Sequence, residues 1–228
     1  MLSKIVRLFV FPIVIFVLFC DTPAICQDKD AQLWTSLSIE AKLVKKLTAN
    51  VSQELRFNEN ITEAGTIYSD FGLEYKINKY FQVAVNYRFV EKRRRDNNYS
   101  YRHRMYVDIK FEKKLKPMKI QVRSRIQDEY ADIGRDSDGG IAEYYLRNKF
   151  SLKWDTEKPI TPYLSVELFS PLKSRYYGAF DNIRAATGVE YAFSKHHKID
   201  IFYMIQKEIN VSRPETDFVV GLGYSFKL

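Results

Sequence analysis

The 228-residue chain carries 36 Lys and Arg against 28 Asp and Glu, a formal charge of +8, with 46% hydrophobic residues and two cysteines. Both cysteines, Cys20 and Cys26, fall inside the first 26 residues. Removal of that segment excludes disulfides, thiolate catalysis and cysteine-ligated metals from the mature chain.

The N-terminal segment has the layout of a secretory leader. Lys4 and Arg7 precede an apolar run over residues 8–19, and Ala24-Ile25-Cys26 offers small residues where a signal peptidase reads. Cleavage is expected near Cys26/Gln27, with residues 1–26 as signal peptide. A lipoprotein would need a small residue ahead of the modified cysteine, but Phe19 and Ile25 stand there. A retained anchor would need about 18 apolar residues, and Pro12 interrupts a shorter run. Loss of Lys4, Arg7 and Asp21 leaves +7, which suits acidic lipid or an anionic solute. Export argues against nucleic acid as a partner.

From Leu33 onward the period is two. Neighbouring side chains of a strand point to opposite faces, so strict alternation predicts strands with chemically different sides. Phe81, Val83, Val85, Tyr87 and Phe89 alternate with Gln82, Ala84, Asn86 and Arg88. Tyr101, His103, Met105, Val107, Ile109 and Phe111 alternate with Arg102, Arg104, Tyr106, Asp108, Lys110 and Glu112. Ile120, Val122 and Ile126 do so with Gln121, Arg123, Arg125 and Gln127. Such runs begin near residues 33, 48, 66, 81, 101, 118, 143, 162, 182, 198 and 217. Short connections fall around 44–47, 78–80, 113–117, 155–160 and 194–197, and longer polar ones around 58–65, 91–99, 128–140, 171–179 and 207–216. Tight turns on one rim and long loops on the other are the usual outer-membrane layout.

The expectation is therefore an all-β protein: a single antiparallel up-and-down transmembrane β-barrel of about 10–12 strands over residues 27–228. Eleven runs would leave the termini on opposite sides, so an even number is expected, with the first strand or the weakly patterned 199–205 segment as the suspect. Aromatic residues gather near strand ends, and the last strand ends Tyr224, Phe226, Leu228, a pattern resembling the signal read by barrel-assembly machinery. A soluble, lipocalin-like binding barrel with the apolar stripe inward has the same alternation and stays open as an alternative.

The order of motifs along the chain resembles a family of Bacteroidota outer-membrane proteins catalogued as domain of unknown function 2490. The resemblance rests on Leu33-Trp34-Thr35 followed by a Lys-Lys turn, Glu54-Leu55-Arg56-Phe57, Tyr101-Arg102-His103-Arg104 and Arg123-Ser124-Arg125. Leu146-Arg147-Asn148-Lys149, Pro162-Tyr163-Leu164-Ser165-Val166-Glu167 and Gly221-Leu222-Gly223-Tyr224 continue it. What it implies is a barrel without an assigned activity.

The polar stripes define the candidate lumen: Arg56, Glu74, Arg88, Arg102, Arg104, Asp108, Arg123, Arg125, Arg147, Lys149, Glu167, Arg184 and Glu190. A cationic wall there would favour anionic solutes in transit, whereas cation–carboxylate pairing across a narrow barrel would plug it. An outer-membrane lipid-modifying enzyme would need a base such as His103 with Ser100 or Ser124 brought to it. Asp128, Glu129, Asp132, Asp136 and Asp138, with Gly139 and Gly140, offer oxygens to a hard cation but match no calcium spacing. The run from Glu91 to Arg95 could meet lipopolysaccharide phosphates. No catalytic set, metal or cofactor is called for. The partners implied are outer-membrane lipid, lipopolysaccharide and the barrel-assembly machinery.

Overall fold

The computed structural model describes residues 29–94, 98–131, 143–156, 158–172 and 180–228. The leader, residues 1–26, lies outside them. Eleven strands follow one another: β1 (Lys29–Val44), β2 (Leu47–Asn58), β3 (Glu63–Lys76), β4 (Phe81–Arg93), β5 (Tyr99–Leu115) and β6 (Met118–Ala131). Then come β7 (Glu143–Trp154), β8 (Ile160–Pro171), β9 (Asn182–Ala192), β10 (His197–Glu208) and β11 (Thr216–Lys227). Each begins within four residues of the position read from alternation. Every strand pairs antiparallel with its chain neighbour, and the sheet closes on itself. Closure pairs all the backbone donors and acceptors that an open edge would leave unmet.

The even number is the expectation that fails. β1 and β10 are both genuine strands, and the ten antiparallel steps from β1 to β11 return the last strand in the direction of the first. β11 therefore closes on β1 in parallel, from Lys29 beside Thr216 to Glu40 beside Lys227. Lys29 stands at the rim that carries the connections after β2, β4, β6, β8 and β10, and Leu228 at the opposite rim, where its N–H donates to the Glu40 carbonyl at 2.8 Å.

Residues 45–46, 77–80, 116–117, 155–159 and 193–196 connect the strands on the C-terminal rim. On the other rim, residues 132–142, 172–181 and 209–215 are longer, while 94–98 equals 155–159 in length. The expected long connection after β2 is instead a four-residue turn, 59–62. Glu59, Asn60 and Ile61 all have positive φ (50°, 56° and 69°), and the Asp30 carboxylate holds the turn by accepting the N–H groups of Glu59 (3.2 Å) and Asn60 (2.7 Å).

The two stripes separate as the alternation demands. Leu37, Val51, Leu73, Val85, Ile109, Ile126, Phe150, Leu164, Val189, Ile201 and Leu222, one from each strand, are all exposed on the outside. Inside, Asp70, Asp108, Arg125, Arg147 and Glu167 are buried. One apolar cluster shares the interior, formed by Trp34 on β1, Met204 on β10 and Val219 on β11, with Ala186 and Phe202 against it. Gly221 makes room for it, since a Cβ there would strike the Phe202 ring.

Candidate functional site

Among the described residues, two interior cavities stand out. The larger, ≈ 580 Å³, lies toward the rim of longer loops and is lined by Arg56, Arg88, Arg102, Arg104, Arg123, Arg125, Arg147, Lys149, Glu167 and Arg184 together with Trp34, Tyr68 and Phe169. The smaller, ≈ 270 Å³, lies toward the C-terminal rim and is lined by Lys110, Glu112, Lys153 and Glu190 among others. Arg123, Lys149, Tyr163 and Asp200 border both and form the waist between them. Gly188 shapes this waist: a Cβ there would sit 2.7 Å from the Tyr163 ring, and its absence lets the Tyr163 hydroxyl donate to Asp200 at 3.1 Å.

The ion pairs follow strand register. Asp70 and Arg88 are cross-strand partners, as are Asp108 and Arg125, so each carboxylate meets its guanidinium side by side. Arg88 Nε donates to Asp70 at 2.8 Å. Arg125 donates through Nε and Nη2 to Asp108 at 2.6 and 2.8 Å, a two-pronged geometry. The Tyr106 hydroxyl donates to Asp70 at 2.7 Å from two strands away. Other pairs span alternate strands: Lys110 with Glu74 and Lys153 with Glu190, both at 2.6 Å. Arg56 pairs with Glu54 two residues back on its own strand.

Carboxylates are scarcer than cations in the larger cavity. Arg102 and Arg104 both bind Glu129, and Arg123 and Arg147 both bind Glu167. Aromatic faces take up part of the difference: Arg56 lies 3.4 Å from the Trp34 ring centroid, Arg125 3.7 Å from Tyr106 and Arg147 4.2 Å from Phe169. Stacking satisfies the face of a guanidinium and leaves its in-plane N–H groups for oxygen acceptors.

Asp70, the partner of Arg88, is absent from the candidate lumen set, and two further partners were also missed in the sequence. Glu129 reads there as part of an acidic loop, yet β6 continues through it and points it inward, while its neighbour Asp128 accepts from Tyr130 at 2.8 Å. Asp132, Asp136 and Asp138, with the two glycines, lie outside the described residues. Tyr68 was likewise unmarked, although Arg56 and Arg88 both lie over its ring, at 4.5 and 4.4 Å. The basic run after Glu91 is divided: Lys92 lines the cavity, whereas Arg93 pairs with Glu63. Arg95 lies outside the described residues.

Among the described residues no serine hydrogen-bonds to His103. Its Nδ1 is 2.6 Å from the Tyr87 hydroxyl, Ser124 donates to Asn148, and Ser100 to the Lys92 carbonyl. At the C-terminal rim the His197 ring packs against Tyr224 and Phe226, with Nδ1 2.5 Å from the Tyr224 hydroxyl. In the connection ahead of β9, burial pushes the Asp181 carboxyl above its ordinary pKa, and its Oδ1 is buried without a partner.

Among solved structures, the β domain of the Bordetella autotransporter BrkA is similar, with 10% identity over 75% of this chain and 78% of that one and a TM-score of 0.45. Comparison with curated proteins finds no match. The family described as "Protein of unknown function (DUF2490)" matches residues 31–216, and the chain belongs to that family.

Proposed function

We propose that this protein is a transmembrane barrel of the bacterial outer membrane whose lumen is a narrow, anion-favouring passage. The observation that carries the membrane assignment is the apolar outer stripe, which runs without a gap over all eleven strands. A surface of that extent facing water would be a large standing cost, whereas acyl chains accept it. The soluble-barrel alternative requires apolar side chains inside, where this chain keeps its buried ions. Secretion through the leader, cleavage near Cys26/Gln27 and insertion by the assembly machinery through Tyr224, Phe226 and Leu228 complete the reading. The assignment to Bacteroidota rests on the sequence resemblance.

Anion preference follows from the shared carboxylates. Where two guanidiniums divide one Glu, the wall keeps net positive charge, and a low-dielectric enclosure strengthens its field. Surrounding lipid and lipopolysaccharide are the expected contacts of the outer stripe and the loop rim.

Two measurements test this. Extraction from membranes should require detergent; recovery as a soluble periplasmic monomer overturns the membrane assignment. In planar bilayers the purified barrel should give unitary steps favouring chloride over potassium. Cation-selective steps or silence would retire the passage and leave the interior ion pairs as a structural plug.

A further inference from the structure

One inner row of the barrel concentrates positive charge beyond what its own carboxylate offsets. Arg123, Lys149, Glu167 and Arg184 are successive cross-strand partners on β6, β7, β8 and β9, so their side chains enter the lumen abreast. Arg147, one inward position nearer the loop rim, joins them. Glu167 Oε1 accepts from Arg123 Nη2 at 2.6 Å, Arg147 Nη2 at 2.8 Å and Arg147 Nε at 3.0 Å, which commits it to two of the four cations.

The other two are left over. Arg184 donates through Nε to the neutral Gln206 at 2.7 Å, and rings back its guanidinium, Phe169 at 4.6 Å and Trp34 at 5.3 Å. It has no carboxylate partner among the described residues. Lys149 has neither an ion pair nor a hydrogen bond among them. Arg123 adds a buried Nε that no acceptor meets. All five residues line the ≈ 580 Å³ cavity, a volume that fits a small solute.

We propose that this row is a binding site for a phosphate-type oxyanion, either inorganic phosphate or a phosphate monoester. The inference rests on the reading of the interior as a wet, anion-attracting lumen and names what that lumen holds. Chloride would offset one surplus charge and, as a single sphere, offers no separate oxygens to match separate N–H groups. A tetrahedral dianion meets both: the Nη groups of Arg184 and the unmet Nε–H of Arg123 can each take a separate oxygen, and the Lys149 ammonium adds a compact point charge. The site lies at the waist, because Arg123 and Lys149 also border the smaller cavity, so a bound oxyanion sits across the route between the two cavities.

Isothermal titration of the detergent-solubilised barrel with inorganic phosphate and with glucose 6-phosphate, at fixed ionic strength in chloride, tests the assignment. Saturable binding is expected, with free glucose giving no heat. Tighter binding of glucose 6-phosphate would identify the ligand as a phosphate monoester, and equal binding as phosphate itself. Lys149→Met, which keeps the side chain's length, and the double variant Lys149→Met with Arg184→Gln should weaken binding by about ten-fold and more than ten-fold respectively. Heat-modifiable mobility on gels confirms that each variant forms the barrel. Unchanged affinity in both folded variants, or no saturable binding by the native protein, would overturn the site. Binding by a barrel that is silent in bilayers would uphold the site while the passage fails, and chloride steps without phosphate binding would do the reverse.

Discussion

Between β3 and β8 the inner wall is dominated by guanidinium and carboxylate groups, whereas the stretch from β9 through the closure to β1, which also carries Arg184, Glu190 and Asp200, holds the apolar cluster of Trp34, Met204 and Val219, with Ala186 and Phe202 against them. Both regions sit inside one sheet and face one lumen. The apolar region coincides with the β1–β11 junction, the single parallel pair of the barrel and so its less stable ladder per residue. Trp34 and Val219 lie on the two strands that meet there, so side-chain packing reinforces the closure where backbone pairing is weakest. The ionic wall has ordinary antiparallel ladders beneath it and is free to carry chemistry instead. Two ways of filling a barrel thus divide the work, one holding the cylinder shut and the other setting its field.

The sharpest way to break this contrast is to orphan one member of a buried pair. Asp108→Asn leaves the Arg125 guanidinium buried without its carboxylate and should cost about 3–5 kcal/mol, measured as urea unfolding in detergent. The double variant Asp108→Leu with Arg125→Met should recover most of that loss, because the pair carries a desolvation cost of its own. If the single and double variants were equally unstable, packing rather than charge would govern this wall.

On the apolar side, Met204→Ala opens a hole beneath Trp34 and should cost about 3 kcal/mol. Chloride selectivity should stay unchanged. A shift in reversal potential would mean that the closure region also shapes the field. Outside the barrel, Leu222→Arg puts a cation at the middle of β11 on the lipid side, with an expected penalty of about 2 kcal/mol in bilayer refolding. A neutral outcome would place that stripe in water.

The smallest effect belongs to Asp181. Its folded pKa is raised by burial, so the folded state holds the proton more tightly than the unfolded one. Stability from this group is full at low pH and is lost as pH rises through the carboxylate range. Asp181→Asn should therefore raise the unfolding midpoint at pH 7 by about 1 °C and have no effect in acid. A gain that persisted at low pH would assign the stabilisation to another cause.

Most of the cylinder was legible in the sequence because alternation is a local property. In β5 the stripes Tyr101 to Phe111 and Arg102 to Glu112 can be told apart from neighbouring side chains alone, and they fall on opposite faces. What closes the cylinder is not local. No residue of β1 or β11 announces a parallel junction, since the partner lies about 190 residues away and parity is settled only when every hairpin has been counted. The site shows the same divide. That Arg123, Lys149 and Arg184 share a face with Glu167 follows from period two, but their alignment in one row depends on the stagger between strands. Glu129 was missed for a related reason. Acidic residues at a strand end look like a loop until the facing arginines of β5 are in place.

The odd number of strands gives the molecule a built-in polarity. An epitope grafted just ahead of Lys29 and a tag fused behind Leu228 would emerge from opposite mouths of the cylinder. In intact cells, antibody or protease should therefore reach one and spare the other. A two-ended accessibility assay of this kind reads the strand parity directly, with no need for a pore current or a ligand.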